Sequence, residues 1–556
     1  MKLFSCAAGA LLLASCANAP GARTADVIYV NANVWTGVKG AARAEAVAIA
    51  GDKIVYVGDD DGALRFQGEA TEIVDLGGDF LAPGFIDNHT HFFDGSFALA
   101  SVPLNDASSK DEFVRRIADY ASSRPKGEWI TGGNWDEEKW GGQLPDRNWI
   151  DAATPDNPVY IARYDGHMAL ANSLALQRAG LNDQTPTPDG GEIVRDKKGR
   201  ITGAVKDKAM EIVEAVIPAP SDAQRAEAFQ RGQAEAFAHG VTQVHDMPLP
   251  AGGLSNLAAL KKLHDDGAMK LRVYVFAPLA DWAQVAAFVA ENGRGDDTLR
   301  WGAVKGYVDG SLGSRTAWRY EKYVDADTTG LTMQAPEQLA EWARAADAAG
   351  LHVTIHAIGE RANDFVLETF AEIGGEKLHA KRFRVEHAQH LTRAAIARFG
   401  EGDIIASVQP YHAADDGRFA VKRIGPEAIK TTYAFRSLLD AGALMTFGSD
   451  WPVAPLDPLV GIDAAMFRRT TDGLNPNGWT PEQKISGEEA LTAYTAANAY
   501  AGFMEDKLGT LEPGKYADIV VLSGDPTGAD ENTIREITVL RTIVGGDTVF
   551  AADQSE

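Results

Sequence analysis

GFIDNHTHF, residues 84–92, is the stretch on which the fold turns. Phe85 and Ile86 open an apolar run that reads as a buried strand, and His89 and His91 stand two apart near its end. Side chains two apart on a strand project to one face, so both imidazoles converge on one point, as a metal ion requires. A pair of surface histidines is the competing reading of this stretch taken alone.

Working outward, seven more apolar strand-like runs alternate with long helix-like segments. With the first at 84–91, they cover 241–246, 271–277, 301–309, 352–357, 383–388, 404–410 and 443–449. Eight parallel βα units close most economically into a barrel, so the expected fold class is α/β, a (β/α)8 TIM barrel over residues 81–507. About 150 residues separate the first strand from the second. That insertion, about 95–240, follows strand one and therefore belongs at the mouth of the barrel, where such folds place their active sites.

Outside the barrel, residues 26–80 and 508–552 share a grammar of short alternating strands broken by Gly-Asp turns, as in AEAVAIAGDKIVYVGDD and LGTLEPGKYADIVVLSGDP. A few strands at each end are weak alone, so the two segments are expected to combine into one small composite β-sandwich. The chain of 556 residues, 45% hydrophobic and 24% charged, has the composition of a folded globular protein. Its formal net charge of −25 repels phosphate backbones, and no Lys/Arg cluster overrides it. Nucleic acid is excluded as the expected partner, leaving a small-molecule substrate; oligomeric state is not legible.

The first residues, MKLFSCAAGALLLASCANAPGA, read as an export signal over 1–20: a lysine, an apolar stretch too short to span a bilayer, then small residues. Leu13-Ala14-Ser15-Cys16 resembles the bacterial lipobox, which places a lipid anchor on Cys16 and the chain in the periplasm, attached to a membrane only through that anchor. Ordinary cleavage after Ala19 is the alternative. The chain has only two cysteines, Cys6 and Cys16. With Cys6 removed and Cys16 acylated, the mature chain must do without thiol chemistry.

At the ends of the proposed strands stand His89, His91, Lys305, His356, His387 and Asp450. One strand-end histidine is usually a hydrogen-bonded core residue; four with an aspartate at the same end of separate strands are hard to explain that way. A buried Lys305 ammonium is costly and repels a metal. Burial and nearby cations favour its neutral amine, which can react with carbon dioxide to give an anionic carbamate. A salt bridge to Asp309, on the same strand face, is the alternative. His245 and Asp246 are expected to hydrogen-bond behind the site, and His239, His264, His352, His379 and His390 to be structural or exposed.

LAPGFIDNHTH, VKGYVDGSLGSRTA, IHAIGERA, EHAQHL, GSDWPV and LGTLEPGKYADIVVL occur in that order. The set resembles the amidohydrolase superfamily, in its YtcJ-like (amidohydrolase 3) branch, over nearly the whole mature chain. The resemblance implies that His89 and His91 bind the more buried metal with Asp450, that His356 and His387 hold a second, and that a Lys305 carbamate bridges them. It leaves open one or two divalent ions per chain.

Zinc suits such ligands and lowers the pKa of bound water toward neutrality. The expected reaction is therefore hydrolysis of a C–N bond, in an amide or cyclic amide, by a hydroxide made at the metal. Asp450 is the expected catalytic residue, moving the water's proton to the leaving nitrogen, with Pro452 fixing its loop. Substrate contacts are expected from Trp135, His167, Arg315, Trp318, His412 and Trp451, with Arg315 clamping a carboxylate or carbonyl and His167 and His412 facing an oxyanion. Ester or lactone hydrolysis on the same site is one alternative. The other is a non-catalytic, lipid-anchored binding protein on the same scaffold, against which the complete ligand set argues.

Overall fold

All eight apolar runs form strands, and each pairs in parallel with its neighbour: β1 Phe85–Thr90, β2 Val241–Asp246, β3 Arg272–Pro278, β4 Leu299–Tyr307, β5 His352–Ala357, β6 Arg384–His387, β7 Ile405–Val408 and β8 Met445–Phe447. The computed structural model describes residues 24–552 apart from 165, 167, 189–190 and 249–253. The proposed signal region and Cys16 lie outside the described residues.

Spatial order follows chain order from β8 back to β1, and a short seam nearly closes the barrel. At that seam the amide of Asp450 donates to His89 O at 2.7 Å, and the amide of His91 donates to Trp451 O at 2.8 Å. Asn498, on the helix Ala496–Ala501, donates its side-chain amide to Ile86 O of β1 and, at 2.7 Å, to Phe447 O of β8. One buried amide thus takes up a carbonyl on each of the two terminal strands, groups that a buried sheet edge must not leave unpaired.

The strands divide their side chains by face. Val244, Val304, Val353, Ile355, Val385 and Phe447 join one large apolar cluster with helix side chains, among them Phe229 of helix α1 (Asp222–Ala238). Toward the barrel interior, by contrast, stand Asn88, Thr354, Arg384, Glu386, Ser407 and Thr446, all buried and mutually hydrogen-bonded. This polar interior departs from the branched aliphatic layers usual in such barrels, and it lies directly behind the candidate site.

The two chain ends meet in paired sheets. One holds Val27–Val30, Ala46–Ala50, Lys53–Gly58 and Glu72–Asp75; the other combines Asn33–Val34 and Phe80–Pro83 with Ile519–Leu522, Val539–Val544 and Asp547–Ala551. Val47, Ile49, Leu81, Ile519, Val521 and Ile543 share one buried cluster between them. After β1 the inserted segment builds its own five-stranded sheet around Phe113, Trp135, Ile150 and Ile161. Its residues Asn105, Asn134 and Tyr164 wall one side of a cleft whose other side is the rim segment Trp451–Pro455.

Candidate metal centre

Two backbone irregularities shape the site. His387 and Asp450 both adopt positive φ, 71° and 64°, a conformation that costs a non-glycine residue free energy and clusters at functional sites. On β6 the alternation would send His387 to the face opposite Glu386. The left-handed turn instead sets its ring 4.9 Å from that of His89 and 4.5 Å from that of His356, centroid to centroid. Gly448, two residues before Asp450, lets β8 approach β1: a Cβ there would meet His89 N at 2.7 Å.

Each of the four histidines is anchored from behind through one nitrogen. His89 Nδ1–H donates to Glu386 Oε2 (2.7 Å), His91 Nδ1–H to Met247 O (3.0 Å), His356 Nε2–H to Gly310 O (3.1 Å) and His387 Nδ1–H to Gln409 Oε1 (2.8 Å). A neutral imidazole carries one proton, so each ring keeps a lone pair on its other nitrogen, which in His89 and His91 faces Asp450. Burial, reinforced by Lys305, pulls His89 down to about 4, which keeps it neutral at physiological pH. Burial and the neighbouring His356 hold His387 well below its usual range.

Asp450 Oδ1 lies 3.2 Å from His91 Nε2 and 3.4 Å from His89 Nε2, and it is buried without a hydrogen-bond donor. Lone pairs facing a carboxylate oxygen repel unless a cation stands between them. His89, His91 and Asp450 form one compact group of possible ligands, and His387, His412 and Asp450 an overlapping one, each with ligand atoms within 4.8 Å of one another. A divalent cation fits this donor set of neutral nitrogens and one carboxylate. His412 was expected to face substrate; its Nε2 is 3.8 Å from Asp450 Oδ2, buried and without a partner.

Lys305 is 1% exposed and points its Nζ at His89 Nε2, 2.8 Å away. Burial brings its amine down to about 8, against the pull of Asp450 and Glu386. The alternative salt bridge to Asp309 does not form. Asp309 accepts the backbone amides of Ile358, Gly359 and Trp318 and stands 3.4 Å from His356 Nε2. Sequence reasoning missed Glu386. Its carboxylate holds His89, takes the Arg384 guanidinium at 2.8 Å and accepts from Ser407. Burial acts to raise it, but Arg384 and His89 outweigh that and keep it ionised. The signal was present: Arg384 and Glu386 are opposite charges two apart in a run expected to be buried. His245 and Asp246 do hydrogen-bond behind the site, His245 Nδ1 accepting from Arg384 and Asp246 from the Phe92 amide.

A cavity of about 230 Å³ opens from the centre, walled by Tyr164, Tyr307, Leu312, Tyr411, His412 and Asp416 among others. Three expected substrate contacts are corrected. Trp135 is wholly buried in the core of the insertion, its indole N–H bonded to Ile161 O. Arg315 reaches away into a bidentate pair with Asp325, at 2.8 and 3.1 Å. Trp318 lies under the Arg361 guanidinium, 4.3 Å from it. Trp451 packs its ring on Phe92 and lines the cleft next to the cavity. His167 lies outside the described residues.

The family described as the amidohydrolase family matches residues 72–550. Protein LONG AFTER FAR-RED 3 of Arabidopsis thaliana is 39% identical over 96% of this chain and 92% of its own length. The putative amidohydrolase YtcJ of Bacillus subtilis (strain 168) is 29% identical over 90% and 96%, and an N-substituted formamide deformylase of Arthrobacter pascens 28% identical over 94% and 97%. Among solved structures, an uncharacterized metal-dependent hydrolase from Pyrococcus horikoshii OT3 superposes with a TM-score of 0.76 at 29% identity, covering 91% of this chain and 99% of that one.

Proposed function

This chain belongs to the amidohydrolase family, and from that premise we propose an exported hydrolase that cleaves the C–N bond of a small amide or cyclic amide with one or two zinc ions. The carrying observation is the set of four histidines pinned from behind, with the second nitrogens of His89 and His91 3.4 and 3.2 Å from an unpartnered Asp450 Oδ1. His89, His91 and Asp450 would hold one ion, His356 and His387 a second, and Lys305, as its carbamate, would join them. The bound ion supplies an activated water and polarises the scissile carbonyl.

The chain's own groups do the rest. Asp450 takes the proton of the attacking water and passes it to the leaving nitrogen. His412, with Nε2 unpaired beside Asp450, donates to the carbonyl oxygen as negative charge develops on it. Trp451 contributes to the wall near the entrance. The formamide deformylase among the relatives supports a C–N bond as the target, and the strongly acidic chain favours a small molecule over nucleic acid.

The test is turnover of N-substituted formamides, N-acyl amines and cyclic amides. Hydrolysis should vanish on exhaustive chelation and return with zinc. Turnover that survives complete removal of metal would contradict the proposal.

A further inference from the structure

The cavity in front of the candidate metal centre is electrically lopsided. Its only lysine or arginine among the described residues is Lys305, at the metal end. Arg315, expected to clamp a carboxylate, is committed to Asp325, and Arg418 in the adjoining cleft is committed to Asp415 at 2.7 Å. Leu312, Ile358, Tyr411 and Phe419 supply apolar wall. Besides Asp450 the cavity is lined by two carboxylates, Asp415, which is paired with Arg418, and Asp416.

Asp416 is the last residue of the helix Pro410–Asp416, four after His412 and so on the same face, with Cβ atoms ~5–6 Å apart by helix geometry. Its Oδ2 accepts from Tyr433 Oη (2.6 Å) and Gln389 Nε2 (2.8 Å). Both donors are neutral, so they orient the carboxylate without cancelling its charge. Among the described residues none donates to Oδ1, and no lysine, arginine or histidine nitrogen pairs with the group. A carboxylate at a helix C-terminus also opposes the helix dipole. Burial lifts its pKa to about 6, opposed by the Tyr433 hydrogen bond and by the nearby His412 and Arg418, the latter already paired with Asp415, so the carboxylate is largely ionised at neutral pH with no cation bonded to it among the described residues. A purely structural acceptor for Tyr433 could be an amide at no electrostatic cost.

Resting on the hydrolase reading above, we infer that Asp416 is a specificity-determining residue that selects amides carrying an ammonium or N–H donor across a short apolar spacer, and rejects those ending in a carboxylate. Tyr433 and Gln389 act as positioning residues for it. The remote cation meets Asp416 while the scissile carbonyl lies beside His412 and Asp450.

The test compares N-(5-aminopentyl)acetamide, N-pentylacetamide and N-acetyl-5-aminopentanoate on the metal-loaded wild type and on Asp416→Asn. The wild type should favour the ammonium amide over the pentyl amide by about tenfold in kcat/KM, the scale of one charge-assisted contact, and should disfavour the carboxylate. In Asp416→Asn, which still offers an oxygen to Tyr433, the ammonium advantage should collapse, chiefly through KM. The wild-type ranking needs no variant to be informative. If none of the three is cleaved, simple acetamides are not the scissile class, and the hydrolytic reading stands or falls on the formamide and cyclic amide panel above. Binding of the same compounds by calorimetry then decides on Asp416: tighter binding of the ammonium amide, lost in the variant, upholds the inference. Equal affinity for the ammonium and pentyl amides in the wild type, or a preference that survives Asp416→Asn, overturns it.

Discussion

Glu386 links the barrel's polar interior to its candidate metal centre through one hydrogen bond, to His89 Nδ1. A carboxylate behind a ligating imidazole fixes its tautomer and raises its basicity, and losing such a partner typically lowers metal affinity ~10–100-fold. Glu386→Gln is therefore expected to weaken metal binding by about that factor in a chelator-competition titration, with the thermal midpoint recorded alongside. Unchanged affinity would remove Glu386 from the account. The metal-facing residues were legible because four histidines, a lysine and an aspartate fell at the ends of recognisable strands. Trp135, Arg315 and Trp318 were misread because their neighbours are remote in sequence or in loops. Nothing local to Arg315 announces Asp325 as its partner, or Ile161 O as the acceptor for Trp135.

At the scale of elements, buried parallel strands read as continuous apolar runs, which is why all eight were recognisable. Four strands are shorter than their runs, and the last two end where the chain leaves the ladder at Gln409 and Gly448 to build the site. His239, expected to be merely structural or exposed, closes helix α1 and bridges Glu235 (3.3 Å) and Asp457 (3.4 Å), the latter capping the helix Pro458–Phe467. Hydrogen bonds to Asp457 and Glu235 raise its pKa to about 9, from ~6.5 unfolded. Folded above unfolded, this group stabilises fully below pH ~6.5 and loses its contribution as pH rises through about 9. Thermal unfolding across that range should show the wild type losing an advantage over His239→Gln. Parallel profiles for the two proteins would contradict the bridge.

For the molecule as a whole, the return of the chain to its starting sheet was legible in the shared strand grammar of both ends. The division into an all-N-terminal sheet and a mixed one was not, because short strands of similar composition do not declare their partners. Arg272 of β3 pairs with Asp518 at 2.7 Å, tying these sheets to the barrel. We propose that the assembly is held at a bacterial membrane by lipid on Cys16. Cys16→Ala should then move the protein from the membrane fraction to the soluble fraction without loss of turnover, and a soluble wild type would refute the anchor.

The central claim is that residues scattered from 89 to 450 gather around metal. Elemental analysis of the purified protein beside Lys305→Ala tests it most directly. The account predicts about one or two equivalents of transition metal per chain, lost in the variant and partly restored by a short-chain carboxylate that replaces the bridging carbamate. A wild type free of transition metal, or a variant holding its full complement, would contradict it.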